Sequence, residues 1–249
     1  MRKQTLVFVA LMVLTPIAFT LVSIVRSQEP NPKDTSSEDV QAIRKGGLRE
    51  VARIRGHYVG IRTTSYSLKY DLESLAAHSG NIIIGSPIDD TAHLSADGQM
   101  ITTWYRIRIV QAMKGKFQPG ETITISLPGG KFVFEDGTSA EIKTPDLERM
   151  ESSQTYVLFL DPMLRAGGVY GVIGGSQGLF EIDRKTLRVR PNGHPLDLVQ
   201  KHKDQGLDGF LQEITAAVKK YPEATTCCNF LRRAQGGRDV HAPSTNWIH

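Results

Sequence analysis

Between residues 101 and 110, side chains suited to a core alternate with a set that includes two arginines. This alternation is the feature that most limits how this 249-residue chain can fold. From residue 101 to residue 110, every odd position carries isoleucine, threonine or tyrosine, and two of the even positions carry arginine. A period of two is typical of a half-buried β-strand, because successive side chains point to opposite faces. The sequence therefore predicts a strand that turns Tyr105 inward and sends Trp104, Arg106 and Arg108 outward.

Shorter segments of the same kind surround this strand. Three isoleucines at 82–84 are typical of a strand buried on both faces. Further strands are expected at 123–127, 132–135, 140–143, 156–160, 169–173 and 179–182. Short strands at this spacing, separated by turns rich in glycine and proline, predict a small antiparallel barrel or sandwich.

Helices are predicted on both sides of this strand-rich region. Ser36 and Asp39 have the spacing of a capping box, so residues 38–70 are expected to hold a weak helix, interrupted by two glycines, and a linker. A better helix begins after Asp71 and ends at Gly80. The C-terminal helix is predicted from one apolar stripe, formed by Leu207, Leu211, Ile214, Val218 and Tyr221.

These segments together predict a mainly β fold with flanking helices, in the α+β class. The barrel is expected over residues 71–190, and helices that pack on it over residues 191–222. Residues 223–249 are poor in apolar side chains and are expected to form a loose tail.

The N-terminus has the pattern of an export signal. Arg2 and Lys3 precede an uncharged run from residue 4 to residue 25, and Gln28 follows a tolerable cleavage site. Residues 1–27 are therefore a cleaved signal peptide, or residues 6–25 remain as a membrane anchor, since about 20 apolar residues span a bilayer. Both alternatives make the rest of the chain extracytoplasmic, either periplasmic or secreted. Residues 28–37 are expected to form a disordered tether.

Charge and cysteine content exclude several classes of protein. The chain has 30 Lys and Arg against 26 Asp and Glu; three of the 30 precede Gln28 and no acidic residue does, so the rest carries 27 against 26. This balance argues against a nucleic-acid partner. The two cysteines, Cys227 and Cys228, are adjacent and cannot form a disulfide scaffold. They could close a small ring, bind a metal or bridge to another chain, and no catalytic role is expected for them.

A likeness to a known family rests on turn and core positions in a fixed order. The segments that carry it are SG at 79–80, NIIIG at 81–85, VQAMKG at 110–115, PGETI at 119–123, PGG at 128–130, SQTYVLFL at 153–160 and GGSQGLF at 174–180. This order resembles exported bacterial domains that are similar to the netrin-like β-barrel of the tissue inhibitors of metalloproteinases, a variant of the OB-fold. The resemblance covers about residues 72–183, under half of the chain. It implies the fold and not protease inhibition, because that family inhibits through an N-terminal cysteine and no cysteine precedes Cys227 here.

Ser176 is the sharpest candidate for catalysis, because residues 174–178 match the G-x-S-x-G motif of α/β-hydrolases. An acid and a histidine follow in the required order, as either Asp197 and His202 or Asp239 and His241. Residues 179–183 nevertheless alternate like a strand where that motif needs a helix. The order His93, Asp136, Ser176 fits an all-β serine protease, which needs two barrels where this chain supplies one. The preferred interpretation is a glycine-rich hairpin in which Ser176 is a replaceable turn residue, and a serine hydrolase is the alternative.

Asp89, Asp90, His93 and Asp97 form a weak candidate metal site. Their spacing matches neither a zinc site nor an EF-hand, and the sequence favours a solvated turn between two strands. No metal or other cofactor is therefore expected.

Trp104 and Arg106 are the candidate binding residues, because an exposed tryptophan beside an arginine is typical of a binding hot spot. Core packing of Trp104 against a helix is nevertheless the favoured interpretation, and the exposed hot spot is the alternative. A nucleic-acid platform is disfavoured because Tyr105 lies on the opposite face. The sequence thus predicts an exported, non-enzymatic module that binds an extracytoplasmic protein and meets a membrane only through an uncleaved N-terminal segment.

Overall fold

The computed structural model describes residues 36–63, 69–161, 168–193 and 197–223. The predicted signal peptide, residues 1–27, lies outside these ranges, as do Cys227 and Cys228 in the predicted tail. Within them, a mainly β fold of the α+β class is observed, with mixed sheets and flanking helices.

The N-terminal half contains two helices and four strands. Helix α1 spans Ser37–Arg55, strand β1 His57–Ile61, helix α2 Leu72–His78, strand β2 Asn81–Leu94, strand β3 Ile101–Lys114 and strand β4 Thr122–Pro128. Strand β1 is a correction, since its residues were expected to belong to a linker. Strand β2 is also longer than expected, because it continues through the polar segment that was interpreted as a turn.

The C-terminal half adds seven strands and two helices. These are β5 Gly130–Val133, β6 Ser139–Lys143, β7 Thr155–Leu160, β8 Val169–Gly171, β9 Leu179–Asp183, β10 Arg188–Pro191, α3 Asp197–Gln200, β11 Gln205–Gly206 and α4 Leu207–Lys220. A short 3-10 turn, Gly175–Gly178, connects β8 to β9.

Both helices predicted from capping residues form as expected. The Ser36 hydroxyl accepts a hydrogen bond from the Asp39 backbone N–H, and Asp71 and Ser74 cap α2 in the same reciprocal way. Non-helical backbone angles at Gly46 and Gly47 kink α1 at the predicted place. Capping therefore determines where each of these helices begins.

The strands form two sheets. The larger has the order β11-β10-β9-β7-β2-β3-β4-β8, antiparallel except for the parallel pair β4–β8. The smaller has the order β1-β6-β5, with β1 parallel to β6. The larger sheet is open and not a closed barrel. Between its end strand β8 and the inner strand β7 there is one bridge, Leu160 to Val172, beside two backbone hydrogen bonds: Asp161 N to Gly171 O, at 2.9 Å, and Ile173 N to Phe159 O, at 2.8 Å.

Strand β7 separates two apolar cores, and all six of its side chains are buried. Phe159 lies with Phe180 in the core beneath α2 and α4, whereas Tyr156 and Leu158 belong to the core on the other face. A third core joins α1 to the smaller sheet. The burial of β7 on both faces explains its purely apolar and aromatic sequence after Thr155.

Helix α4 packs against the sheet through a face that differs by one position from the predicted stripe. Its buried side chains are Phe210, Ile214 and Ala217, while Leu207 and Leu211 are only partly buried at the edge of the same core. The ring of Phe210 lies 4.8 Å from that of Phe180, with the two planes tilted by 53°, and packs this face of the helix against the sheet.

Lys114, at the end of β3, is buried next to the C-terminal end of α2. Its ammonium donates to the Ala76 carbonyl at 2.7 Å, and burial lowers the pKa of the lysine. The lysine thus satisfies one of the carbonyls that every helix leaves unpaired at its C-terminus.

Candidate functional site

The two predicted binding residues lie on the outward face of β3. Trp104 is half-buried and Arg106 exposed, while the intervening Tyr105 is buried on the other side of the strand. Trp104 belongs to none of the three apolar cores, so the favoured prediction that it packs in the core against a helix was wrong. The strand alternation is therefore confirmed. We define the outward face as the solvent side of β2, β3 and β4 around these two residues.

The indole of Trp104 is held by a histidine from the neighbouring strand. Its ring stacks on the imidazole of His93, with centroids 3.8 Å apart and planes at 27°. Trp104 pairs with Thr91 and His93 pairs with Thr102, so the two rings are diagonal neighbours across the ladder. Diagonal pairs are within reach of aromatic side chains, and this one restricts the rotation of Trp104.

Arg106 is held in the same way by Asp89, its direct partner in the β2–β3 ladder. The Nε atom donates to Asp89 Oδ1 at 2.7 Å, and Nη2 contacts the other carboxylate oxygen. This fork-like pair keeps the pKa of Asp89 below its ordinary value and raises that of Arg106. The Arg106 side chain stays about half exposed. It is therefore held by Asp89 and still accessible to a partner.

The four weak metal candidates are not brought together. Asp89 pairs with Arg106, Asp90 with Arg149 at 2.8 Å, and His93 with Trp104, while Asp97 accepts from Ser95 in the hairpin turn. In the described ranges no three His, Cys, Asp or Glu residues are arranged to hold a metal ion. The predicted turn between two strands is present at Asp97, but it is shorter than expected, because Asp89, Asp90 and His93 are all part of strand β2.

Ser176 lies in the 3-10 turn before β9, and a strand follows it, as the alternation predicted. Its side chain has no exposed surface. The predicted hairpin was wrong, because the strands on either side of this turn, β8 and β9, are not neighbours in the sheet. Gly174 and Gly175 have the positive φ angles expected of this segment. Gly178 is needed for a different reason, since a Cβ there would lie 2.3 Å from the Ile173 carbonyl oxygen. A buried hydroxyl argues against a nucleophile, although the serine hydrolase remains a prediction that labelling with a fluorophosphonate would test.

A cleft of about 580 Å³ separates the inner side of β2–β4 from the smaller sheet. Asp90 and Arg149 pair at its wall, beside Tyr105. Burial raises the pKa of the Tyr105 hydroxyl. Lys131, Glu141 and Lys143 from the smaller sheet also line it, as does Glu148. The charges of this wall are mixed, so it favours neither cations nor anions.

Sequence reasoning missed a polar cluster next to the outward face. Arg184, in the turn after β9, donates to Thr155 Oγ1 from Nε at 3.0 Å and from Nη2 at 2.7 Å. Nη2 also contacts Ser86 Oγ at 3.2 Å, and the two hydroxyl oxygens are 3.0 Å apart. The three residues are far apart in sequence, and they meet because β7 pairs with β2 on one side and with β9 on the other.

None of the helices in the described part of the chain is both long and apolar enough to cross a bilayer. Comparisons with models of protein families and with curated proteins gave no significant match. Any function must therefore be argued from the surfaces of this molecule.

Proposed function

We propose that this chain is an exported, non-enzymatic module that binds a protein partner through the outward face, with Trp104 and Arg106 at the centre of the contact. One observation carries the proposal: both side chains remain accessible and each is already held in place by a neighbour on β2. Tryptophan and arginine are the residue types most enriched among binding hot spots.

The holding contacts matter because ordering a long side chain on binding costs free energy. Immobilising one flexible side chain opposes association by about 0.5–1.5 kcal/mol. His93 already orders Trp104, and Asp89 already orders Arg106, when the protein folds. This cost therefore does not have to be met again when a partner binds. Three antiparallel strands hold both side chains, so the face is presented on a rigid support.

We further propose that β2, β3, β4, β7 and β8 are the five strands of an OB-type barrel, the fold that the resemblance implies. The antiparallel pairs β2–β3, β3–β4 and β2–β7 and the parallel pair β4–β8 support this proposal. The bridge from Leu160 to Val172 supports it as well, because it is where β8 would close onto β7. The outward face would then lie on the outside of the barrel.

The exported location is a separate part of the proposal, supported by Arg2 and Lys3 ahead of the apolar run. Alkaline phosphatase is active only after translocation. A fusion after Asp34 should therefore be active, whereas the same fusion with residues 2–25 deleted should be inactive. An inactive fusion of the intact N-terminus would mean that the chain is not exported.

The binding role is tested by placing a photo-crosslinking amino acid, benzoylphenylalanine, on the outward face in cells. Thr102 is a suitable position, because it lies beside Trp104 on the same face of β3. Thr215, exposed on α4, is the matched control position. We expect a discrete adduct from position 102, and none from position 215.

The adduct should disappear when Trp104→Ala is added, whereas Trp104→Phe should retain part of it. Equal adducts from both positions would overturn the proposal. So would an adduct from position 102 that Trp104→Ala leaves unchanged.

A further inference from the structure

The cluster of Ser86, Thr155 and Arg184 extends the outward face by one row. Ser86 is the direct ladder partner of Arg108 on β3, and directly opposed residues of an antiparallel pair share a face. Arg108 in turn follows Arg106 at the next outward position of the strand. Arg184, Thr155, Ser86 and Arg108 therefore form a continuous row across the sheet, next to Arg106.

The hydrogen bonds within this row leave the Ser86 hydroxyl able to donate to a ligand. The Thr155 oxygen accepts two bonds from Arg184, so both of its lone pairs are used and its own proton is directed to Ser86, 3.0 Å away. Ser86 Oγ accepts that proton and an N–H of Arg184 Nη2. Its own hydroxyl proton is then left without an acceptor among the described residues.

The two arginines of the row also have unused donors. Arg184 Nη1 donates in none of the hydrogen bonds of the described residues, and neither Arg184 nor Arg108 has a described carboxylate within 4.0 Å. Six other described arginines have such a carboxylate, whereas Arg44, Arg62 and Arg188 also lack one. The row thus combines two unpaired positive charges with a free hydroxyl donor.

We propose that this row binds a sulfate or phosphate group between Arg184 and Arg108, with the Ser86 hydroxyl as a third donor. Two positive charges match a doubly charged anion. The donors come from β2, from β3 and from the turn after β9, and donors that approach from three directions suit a tetrahedral group better than a planar carboxylate. Thr155 does not touch the ligand in this arrangement; it fixes the guanidinium by accepting from Nε and Nη2. Arg184 also borders a groove of about 570 Å³, whose lining is mixed in charge and includes Lys185, Glu181, Asp183 and Asp204.

The proposal rests on the proposed binding role of the outward face, because it names the chemistry that the face would recognise beside Trp104. Titration calorimetry with the full-length protein and sodium sulfate or phosphate tests it directly. A dissociation constant of about 1 mM is expected, equivalent to about −4.1 kcal/mol. Acetate should bind at least about tenfold more weakly, and equal binding of acetate would overturn the tetrahedral site.

The variants assign the site to these residues. Arg184→Gln and Arg108→Gln should each weaken sulfate binding about tenfold, and Ser86→Ala about threefold. Arg184→Lys keeps the charge and loses the fork, so it should fall between the wild type and Arg184→Gln. Arg44→Gln, which removes the same charge from the exposed side of α1, is the control and should bind like the wild type. No binding by the wild type, or equal weakening by Arg44→Gln, would overturn the proposal.

One further variant distinguishes failure of the anion site from failure of the proposed binding role, and one further ligand identifies the source of the anion. Trp104→Ala should leave sulfate binding unchanged while it abolishes the crosslinked adduct. If the adduct forms and the wild type binds no sulfate, the binding role stands and the anion site is wrong. Monomethyl phosphate that binds as tightly as inorganic phosphate would indicate an ester carried by a larger ligand, and loss of binding would indicate the free ion.

Discussion

The imidazole of His93 and the indole of Trp104 lie face to face across two antiparallel strands, 3.8 Å apart at their centroids. Removing the imidazole in His93→Ala should lower the free energy of unfolding by about 0.5–1.5 kcal/mol. It should also shift the emission of Trp104 to longer wavelength, because the indole becomes more exposed. The measurement needs a Trp247→Phe background, since the chain has a second tryptophan. His93→Phe keeps a ring in place and should behave like the parent; a red shift in both variants would contradict the stacking account.

Asp71 should make the stability of the protein depend on pH in the acidic range. The hydroxyl of Ser74, followed by the Ser74 backbone N–H, keeps the pKa of Asp71 below its ordinary value of 3.8. The carboxylate therefore contributes its full stabilisation above that value, and the contribution is lost as the pH falls through the lower folded pKa. Asp71→Ala should cost about 1 kcal/mol at pH 7, measured by urea unfolding. Asp71→Asn should cap α2 without titrating, so a pH profile identical to the wild type would contradict the assignment.

Phe159 tests the central position of β7. Its side chain is fully buried and lies 5.9 Å from the ring of Phe180. Phe159→Ala should cost about 3–5 kcal/mol, because burial is lost and a cavity remains. Val133→Ala, at a position that is 61% exposed, should change stability by less than about 0.5 kcal/mol. Similar melting temperatures for these two variants would show that β7 is not a core strand.

The glycine-rich turn separates a structural from a catalytic role of Ser176. Gly178→Val should cost about 1–3 kcal/mol, since its Cβ would overlap the Ile173 carbonyl. Ser176→Ala removes a buried hydroxyl that has a partner and should cost about 1 kcal/mol, more than an exposed turn serine would. Gly209→Ala, on α4 with no close contact, is the control and should be neutral or stabilising. Fluorophosphonate labelling of the wild type that Ser176→Ala abolishes would favour the hydrolase instead.

Tyr156 should destabilise the fold in alkali. Burial raises its pKa from 10.0 to about 12, and its hydroxyl oxygen accepts from the Glu151 backbone N–H at 2.9 Å. Its contribution to stability is complete below pH 10 and is lost between pH 10 and 12, because the unfolded tyrosine ionises first. Tyr156→Phe should reduce this loss in urea midpoints measured from about pH 9 to about pH 11.5. Burial also raises the pKa of Tyr105, so part of the alkaline loss of stability should remain in Tyr156→Phe. An alkaline slope that is unchanged in this variant would contradict the prediction.

Local patterns predicted the local parts of this fold. The period of two placed Tyr105 inward and Trp104 outward, and capping residues placed the starts of α1 and α2. Strand β1 could not be predicted in the same way, because its partner β6 pairs at Ser139, far along the chain from His57. The extension of β2 was missed because its outward residues are polar and exposed, which sequence alone does not distinguish from a turn.

The candidate site was predictable one residue at a time but not as a set of pairs. The partners of Trp104 and Arg106 depend on the register of β2 against β3, which shifts at three irregularities between Ile82 and Asp89. One shift lies between Ile84 and Gly85, and at Gly85 a Cβ would lie only 2.5 Å from Ile107 Cγ2. Arg184 meets Ser86 only because β7 lies between β9 and β2 in the sheet.

The parallel pairing of β1 with β6 has a consequence for the order of folding. The hairpin of β5 and β6 closes locally, whereas β1 must wait until a loop of roughly 80 residues has been closed, at an entropic cost that local hairpins avoid. The edge strand should therefore join last and separate first. In native-state hydrogen exchange, the amides of Val59 and Ile61 should open at a lower free energy than those of β7. Strand β1 would then dock late, onto a smaller sheet whose other two strands have already paired.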